Sequence, residues 1–218
     1  AATQRHTNYS SETFELQLTG STDSMSYIIG YYSLDDDAYT ANPQSFFGGG
    51  SVFAQNYSGS GDATAMFGQV TFALGETWDV TLGARSTEED KNGFKEYVGV
   101  ISASGSGSFD DTSTTFILSK DYSENTNLYF KVADGFKAGG FNAEASNPYA
   151  ASTPYAPETV QATEFGLKGI YLDNRLMFNA AIFQNEHEDM QLSYFNADAA
   201  AASEVINNSA EVTGLEIE

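Results

Sequence analysis

Residues 77–85 read TWDVTLGAR. Trp78, Val80, Leu82 and Ala84 alternate with Asp79, Thr81, Gly83 and Arg85. Successive side chains of a strand point to opposite faces, so this spacing predicts a strand with one apolar and one polar face. The same alternation recurs on both sides of the stretch. Phe14, Leu16 and Leu18 oppose Thr13, Glu15, Gln17 and Thr19; Phe165 and Leu167 oppose Glu164, Gly166 and Lys168; Leu215 and Ile217 oppose Gly214, Glu216 and Glu218. Residues 175–183 are noisier, with Leu176, Phe178, Ala180 and Ile182 on one face but Met177 and Phe183 on the other. Nine strands are predicted, at about 12–18, 25–35, 63–74, 77–88, 111–121, 126–135, 159–171, 175–195 and 205–218.

The connections between these strands alternate in length. Short ones fall at 19–24, 75–77, 123–126 and 172–174, and long ones at about 36–62, 89–110, 136–158 and 196–204, the latter rich in Gly, Ser, Ala, Asn and Asp. Short turns on one side and long loops on the other predict an up-and-down transmembrane β-barrel rather than a sandwich. Tyr27, Phe72, Trp78, Tyr122, Tyr129 and Tyr171 gather near the short turns, where an aromatic girdle at a membrane interface is expected. Trp78, Val80, Leu82, Phe165 and Leu167 are expected to face lipid. The Ala-rich stretch 197–202 reads as a small-residue loop or a short helical turn.

Composition narrows the function. The net charge of −21, with nine Lys and Arg in 218 residues, leaves no basic face for nucleic acid. Without Cys there is no disulfide framework and no thiolate metal site. No run of about 18 apolar residues exists, so no transmembrane helix is expected. The first residues carry no charged-then-apolar leader pattern.

Residues 126–142, TNLYFKVADGFKAGGFN, resemble the barrel of TonB-dependent receptors, in which a strand of the type LYxxxxxGFKxGGFN rises into an extracellular loop. Pro157, Glu158, Glu164, Gly166 and Lys168, then Asp173, Arg175, Leu176, Asn179, Ala181, Phe183, Asp189 and Gln191, match further blocks of that pattern. NNSAEVTGLEIE at 207–218 and FGQVTFALGETWDVTLGAR at 67–85 are also similar to it, so the resemblance covers most of 12–218. It implies an all-β antiparallel meander of about nine strands, one part of a barrel of about 22 strands with a plugged lumen. It also implies an outer-membrane location and energy-coupled uptake of a scarce ligand such as an iron–siderophore complex. The plug, and the segment meeting the TonB-type coupling protein, are expected outside this chain. The whole of 1–218 is therefore read as one piece of wall, open at both edges. A passive porin-like channel and a secreted β-sandwich adhesin are the alternatives.

Little else suggests chemistry. His6 and His187 are the only histidines, and His187 in NEHED is read as solvated near a loop. Asp35, Asp36 and Asp37 lack calcium-loop spacing and are read as a solvated loop base. No catalytic group, metal site or cofactor is expected; lipid, lipopolysaccharide, the coupling protein and an unidentified small ligand are the expected partners. GFKAGGFN has the strongest claim to a binding role. Phe136, Lys137, Phe141 and Asn142 are candidates to meet a ligand, against the alternative that the motif only shapes the loop base.

Overall fold

A computed structural model describes residues 2–46, 51–97, 101–145, 148–196 and 202–218. The strands are β1 (Ala2–Thr3), β2 (His6–Ser21), β3 (Met25–Phe46), β4 (Ser51–Ala73), β5 (Trp78–Tyr97), β6 (Ile101–Ser123), β7 (Thr126–Lys137), β8 (Glu158–Tyr171), β9 (Leu176–Asn196) and β10 (Ala202–Ile217). One short helix, α1 (Pro148–Ser152), lies between β7 and β8. Every pairing is antiparallel, and from β2 onward each strand pairs with its sequence neighbours. β1 pairs with the far end of β3, at Ala2↔Ser45, and so continues the line of β2. The result is the expected nine-strand meander, with no ladder between β10 and β2 among the described residues.

The short turns at 22–24, 74–77, 124–125 and 172–175 stand where the sequence places them. Gly75 turns at φ 78°, where a side chain would strain the backbone. Leu172, Asp173 and Asn174 adopt left-handed φ values of 54°, 54° and 66° in succession, the hand that matches the twist of a tight hairpin.

The long loops differ. Most of 36–62 and 89–110 is strand: β3 and β4 pair from Met25↔Phe72 to Phe46↔Ser51, and β5 and β6 from Trp78↔Lys120 to Tyr97↔Ile101. Gly, Ser and Asp have low strand propensity, but propensity yields to the neighbouring ladder. Gly59, Gly93 and Gly105 lie in one row across β4, β5 and β6, each held by pairing on both sides or one. The Asp35–Asp37 run is likewise strand rather than loop, opposite Asp62, Gly61 and Ser60. Residues 138–145 and 148–157 do leave the main ladders, as expected. The possible helical turn at 197–202 lies almost wholly outside the described residues.

Register defines two faces. On one, Leu16, Ile29, Val70, Leu82, Phe116, Phe130, Phe165, Ile182 and Leu215 form an apolar belt beside the short turns. These side chains are open to the surroundings: Leu16 is 63% exposed, Ile182 55% and Phe165 50%. An apolar band of this extent on a water-soluble surface would be exceptional. The aromatic ring positions split. Tyr27, Phe72, Trp78 and Tyr171 belong to the belt face, and Lys120 lies 4.7 Å from the Trp78 ring. Tyr129 does not: it pairs with Ser119 and Gly166, and its hydroxyl meets Glu164 on the other face.

That other face is polar. It carries Arg85, Lys91, Lys95, Lys131, Lys137 and Lys168, six of the nine basic residues. Arg85 lies over the rings of Tyr32 and Phe67, at 5.4 and 5.7 Å.

Both outer strands keep one edge without a strand partner among the described residues. An unpaired backbone group in hydrocarbon costs several kcal/mol. The purified 218-residue chain is therefore expected to give no uniform single-channel conductance in planar bilayers. Reproducible unitary currents from monomeric chain would contradict the open-sheet architecture.

Candidate functional site

β7 ends at Lys137 and β8 begins at Glu158, while β3, β4, β5 and β6 run on. The described residues of the connecting segment, 138–145 and 148–157, form a strap that folds back onto the polar face of those longer strands. Among its described residues, Phe141 and Ser152 rest on Gly93 and Gly105. A Cβ at Gly93 would stand 2.8 Å from Phe141 Cγ, and one at Gly105 would collide with Ser152 O. Glycine in these two strand positions thus opens a flat seat for the Phe141 ring and the strap backbone. Ala145 and Ala151 of the strap pack on Ala103 of β6 in a small buried cluster.

Polar contacts fix the strap beside this seat. Lys95 is 2% exposed, and its Nζ donates to Ala145 O. The ammonium also lies 4.8 Å from the Tyr97 ring. Glu144 forms an ion pair with Arg5 at 2.7 Å and accepts a hydrogen bond from Tyr57 Oη at 3.4 Å. Strap residues Gly140 and Tyr155 bond each other across the base, Tyr155 N donating to Gly140 O at 2.8 Å. The neighbouring wall is buried but polar. Thr40, Asn42 and Gln55 are 5%, 4% and 6% exposed, and Asn42 Oδ1 and Gln55 Nε2 have no hydrogen-bond partner among the described residues.

The strap and wall enclose a recess of about 310 Å³. Tyr57, Lys91, Lys95, Phe141 and Tyr155 line it, with Thr40 and Asp36. Desolvation pushes Lys95 down to about 8, against the opposing pull of the Glu144 carboxylate. Burial likewise raises the Tyr57 and Tyr97 hydroxyls above their usual range.

The motif residues separate. Phe141 lines the recess. Lys137 borders a second, open cleft of about 700 Å³ with Arg85 and Lys91. Phe136 also borders that cleft, but its ladder position opposite Thr159 belongs to the apolar face. Asn142 Oδ1 accepts from Val205 N at 2.7 Å, so its acceptor serves the fold. His187 pairs with Glu158, Nδ1 to Oε1 at 3.2 Å, rather than standing solvated. Glu158 is held below the usual carboxylate range, first by the backbone N–H of Gln191 and further by His187 and Lys137.

Sequence reasoning missed Tyr57, Lys95, Glu144 and Tyr155. The period-two pattern contains a signal for Lys95: continuing from Thr81 through Arg85, Glu89 and Lys91 by steps of two reaches it. Reading 89–110 as loop ended that count early.

The whole chain, residues 1–218, matches the family model described as "TonB dependent receptor-like, beta-barrel". Among solved structures it is similar to the ferric yersiniabactin uptake receptor FyuA of Yersinia pestis, at 18% identity and a TM-score of 0.83, covering 99% of this chain and 33% of that one. The copper transporter OprC matches at 13% identity and a TM-score of 0.73, over 99% and 35%. The siderophore receptor PiuA of Acinetobacter baumannii matches at 16% and 0.70, over 97% and 36%. The chain thus spans about a third of the length of these structures.

Lys95 gives the site a pH dependence. Its value with the strap docked lies below the ordinary lysine value of 10.5. The docked form therefore binds fewer protons, and docking strengthens as pH rises from about 8 towards 10.5. Tyr57 and Tyr97 are raised from the ordinary tyrosine value of 10.0 by burial, so their contribution has the opposite sign and enters only as pH approaches 10. Spin labels at Tyr149→Cys on α1 and Ser106→Cys on β6 would report the docked population. Between pH 7.5 and 9.5 the docked-to-released ratio is expected to rise on the order of tenfold. Lys95→Met should flatten that profile; an unchanged slope in the variant would rule out Lys95 as its origin.

Proposed function

Because the chain belongs to the TonB-dependent receptor β-barrel family, whose barrels stand in the Gram-negative outer membrane, we propose that it is the ligand-receiving part of the wall in an energy-coupled uptake receptor. The ligand is a scarce small molecule, of which an iron–siderophore complex is the leading example. One observation carries this reading. At the end of the sheet remote from the short turns, the strap folds over the polar face and forms a recess lined by Tyr57, Lys91, Phe141 and Tyr155. A molecule arriving from outside meets this surface first. Members of the family are transporters, and no catalytic role is assigned to these residues.

The faces fit the same reading. Trp78, Val80, Leu82, Phe165 and Leu167 occupy the apolar belt, which would contact lipid. Immediately beyond the belt on that face, Glu12, Asp35, Asp62 and Asp90 stand in register across β2 to β5. Lipopolysaccharide headgroups with their divalent cations would lie at that level. The coupling protein would act through a part of the receptor beyond this wall.

Two measurements test the proposal. Val80 pairs with Phe72 and Leu118, whereas Thr81 pairs with Thr71, their hydroxyls 2.8 Å apart. In the parent barrel Val80→Arg is expected to cost about 2–3 kcal/mol, the lower half of the mid-membrane range because the turn is near. Thr81→Arg, on the hydrated face, is expected to cost about 1 kcal/mol or less. Reversible unfolding in lipid would compare them, and an equal or larger loss for Thr81→Arg would reverse the assignment of faces.

The second measurement concerns energy. Cells carrying the intact parent are expected to lose uptake of a radiolabelled ferric siderophore when the inner-membrane coupling protein is deleted. Uptake that persists at the same rate would mark a passive channel instead.

A further inference from the structure

Gln191 and Asn207 lie outside the recess, on β9 and β10, yet both hold the strap. β8 begins only at Glu158, so the backbone just before it has no ladder partner. Buried or half-buried backbone groups must find partners elsewhere. Ala156 finds them in side-chain amides. Its N–H donates to Asn207 Oδ1 at 2.9 Å, and its carbonyl accepts from Asn207 Nδ2 at 3.0 Å and Gln191 Nε2 at 3.2 Å. Gln191 Nε2 also donates to Ala138 O at 2.9 Å. One amide therefore bridges the outgoing and returning ends of the strap.

The clamp is itself positioned by a distortion of the sheet. The β9–β10 register shifts between Asn208 and Ala210, and Asp189 sits at φ 52° in the bulge. Asn207 Nδ2 donates to Asp189 O at 2.6 Å, and Gln191 N donates to Glu158 Oε2 at 3.0 Å. Bulges commonly re-aim side chains at functional places in a sheet. A third amide, Asn142, completes the set from the strap side by accepting from Val205 N.

We propose that Gln191 and Asn207 are positioning residues that lock the strap inward by hydrogen-bonding its two ends, at Ala138 and Ala156, and so set the shape of the recess. The clamp stands on the geometry alone; its importance for ligand rests on the function proposed above. Hydrophobic contact at the glycine seat places the strap's middle, whereas the amides set where its ends leave and rejoin the wall. Without them Ala138 O and Ala156 lose their partners together, which favours a released strap that water can solvate.

The test uses the full-length receptor in lipid, with spin labels at Tyr149→Cys and Ser106→Cys. The unmodified clamp should give one narrow distance distribution. Gln191→Met with Asn207→Leu should raise the released population at least about tenfold. The heat-modifiable electrophoretic mobility of the folded barrel should be unchanged. Asn207→Asp keeps the acceptor for Ala156 N–H but loses both donors, and should release the strap to an intermediate extent. A narrow, unshifted distribution in the double variant would overturn the clamp. If the double variant fails to fold, the single variants Gln191→Glu and Asn207→Asp decide: graded release supports the clamp, and no release overturns it. Binding of a synthetic ferric tris-catecholate, measured on the same samples, separates the two ideas. A released strap with unchanged binding upholds the clamp and removes the recess from ligand recognition.

Discussion

Every backbone N–H and C=O in a membrane-spanning strand needs a protein partner, because hydrocarbon offers none. That requirement organises this chain. It forces continuous antiparallel ladders, and a continuous ladder fixes which face each side chain takes. From Met25↔Phe72 the β3–β4 register runs without a break to Phe46↔Ser51. A one-residue slip would turn Ile29 and Val70 to the polar face and Gln69 to the belt. The same ladder supports Gly- and Ser-rich backbone far beyond the belt, where side-chain propensity alone would leave it irregular.

The two faces then divide the work. The belt face is nearly uniform within its band and carries few choices. The polar face is where the chain varies: ring-stacked Arg85 at the level of the belt, glycines further out, and a buried Lys95 beyond them. Burying an ammonium is costly unless it is well hydrogen-bonded. Lys95 meets the cost with one carbonyl and a nearby carboxylate, both supplied by the strap, and with the face of the Tyr97 ring on its own strand. Strap and lysine therefore depend on each other.

The strap also joins distant parts of the wall. Arg5, before β2, holds Glu144; Val205, on β10, donates to Asn142; Gln191 holds both ends. A shift of the strap would reach strands at both margins of the sheet. Exposed ion pairs such as Arg5–Glu144 add little stability by themselves, so the glycine seat and the backbone-directed amides carry most of the fixing.

Alternation alone determined much of this protein. TWDVTLGAR predicts both the strand and its two faces, and the short turns and nine-strand order follow from the same rhythm. Local pattern suffices there because a strand's side-chain period is a property of the backbone itself. The barrel family was legible in GFKAGGFN and the blocks after it, but the seat of the Phe141 ring on Gly93 was not. The long strands through 36–46, 51–62, 89–97 and 101–110 were not, because Gly, Ser and Asp acquire strand conformation there from neighbours paired on either side. Nor could the sequence place Lys95, Tyr57 and Glu144 together, or give Gln191 and Asn207 to Ala156. Those contacts join residues 35 to 87 positions apart. They exist only once the sheet has brought β4, β5, β9 and β10 around the folded strap.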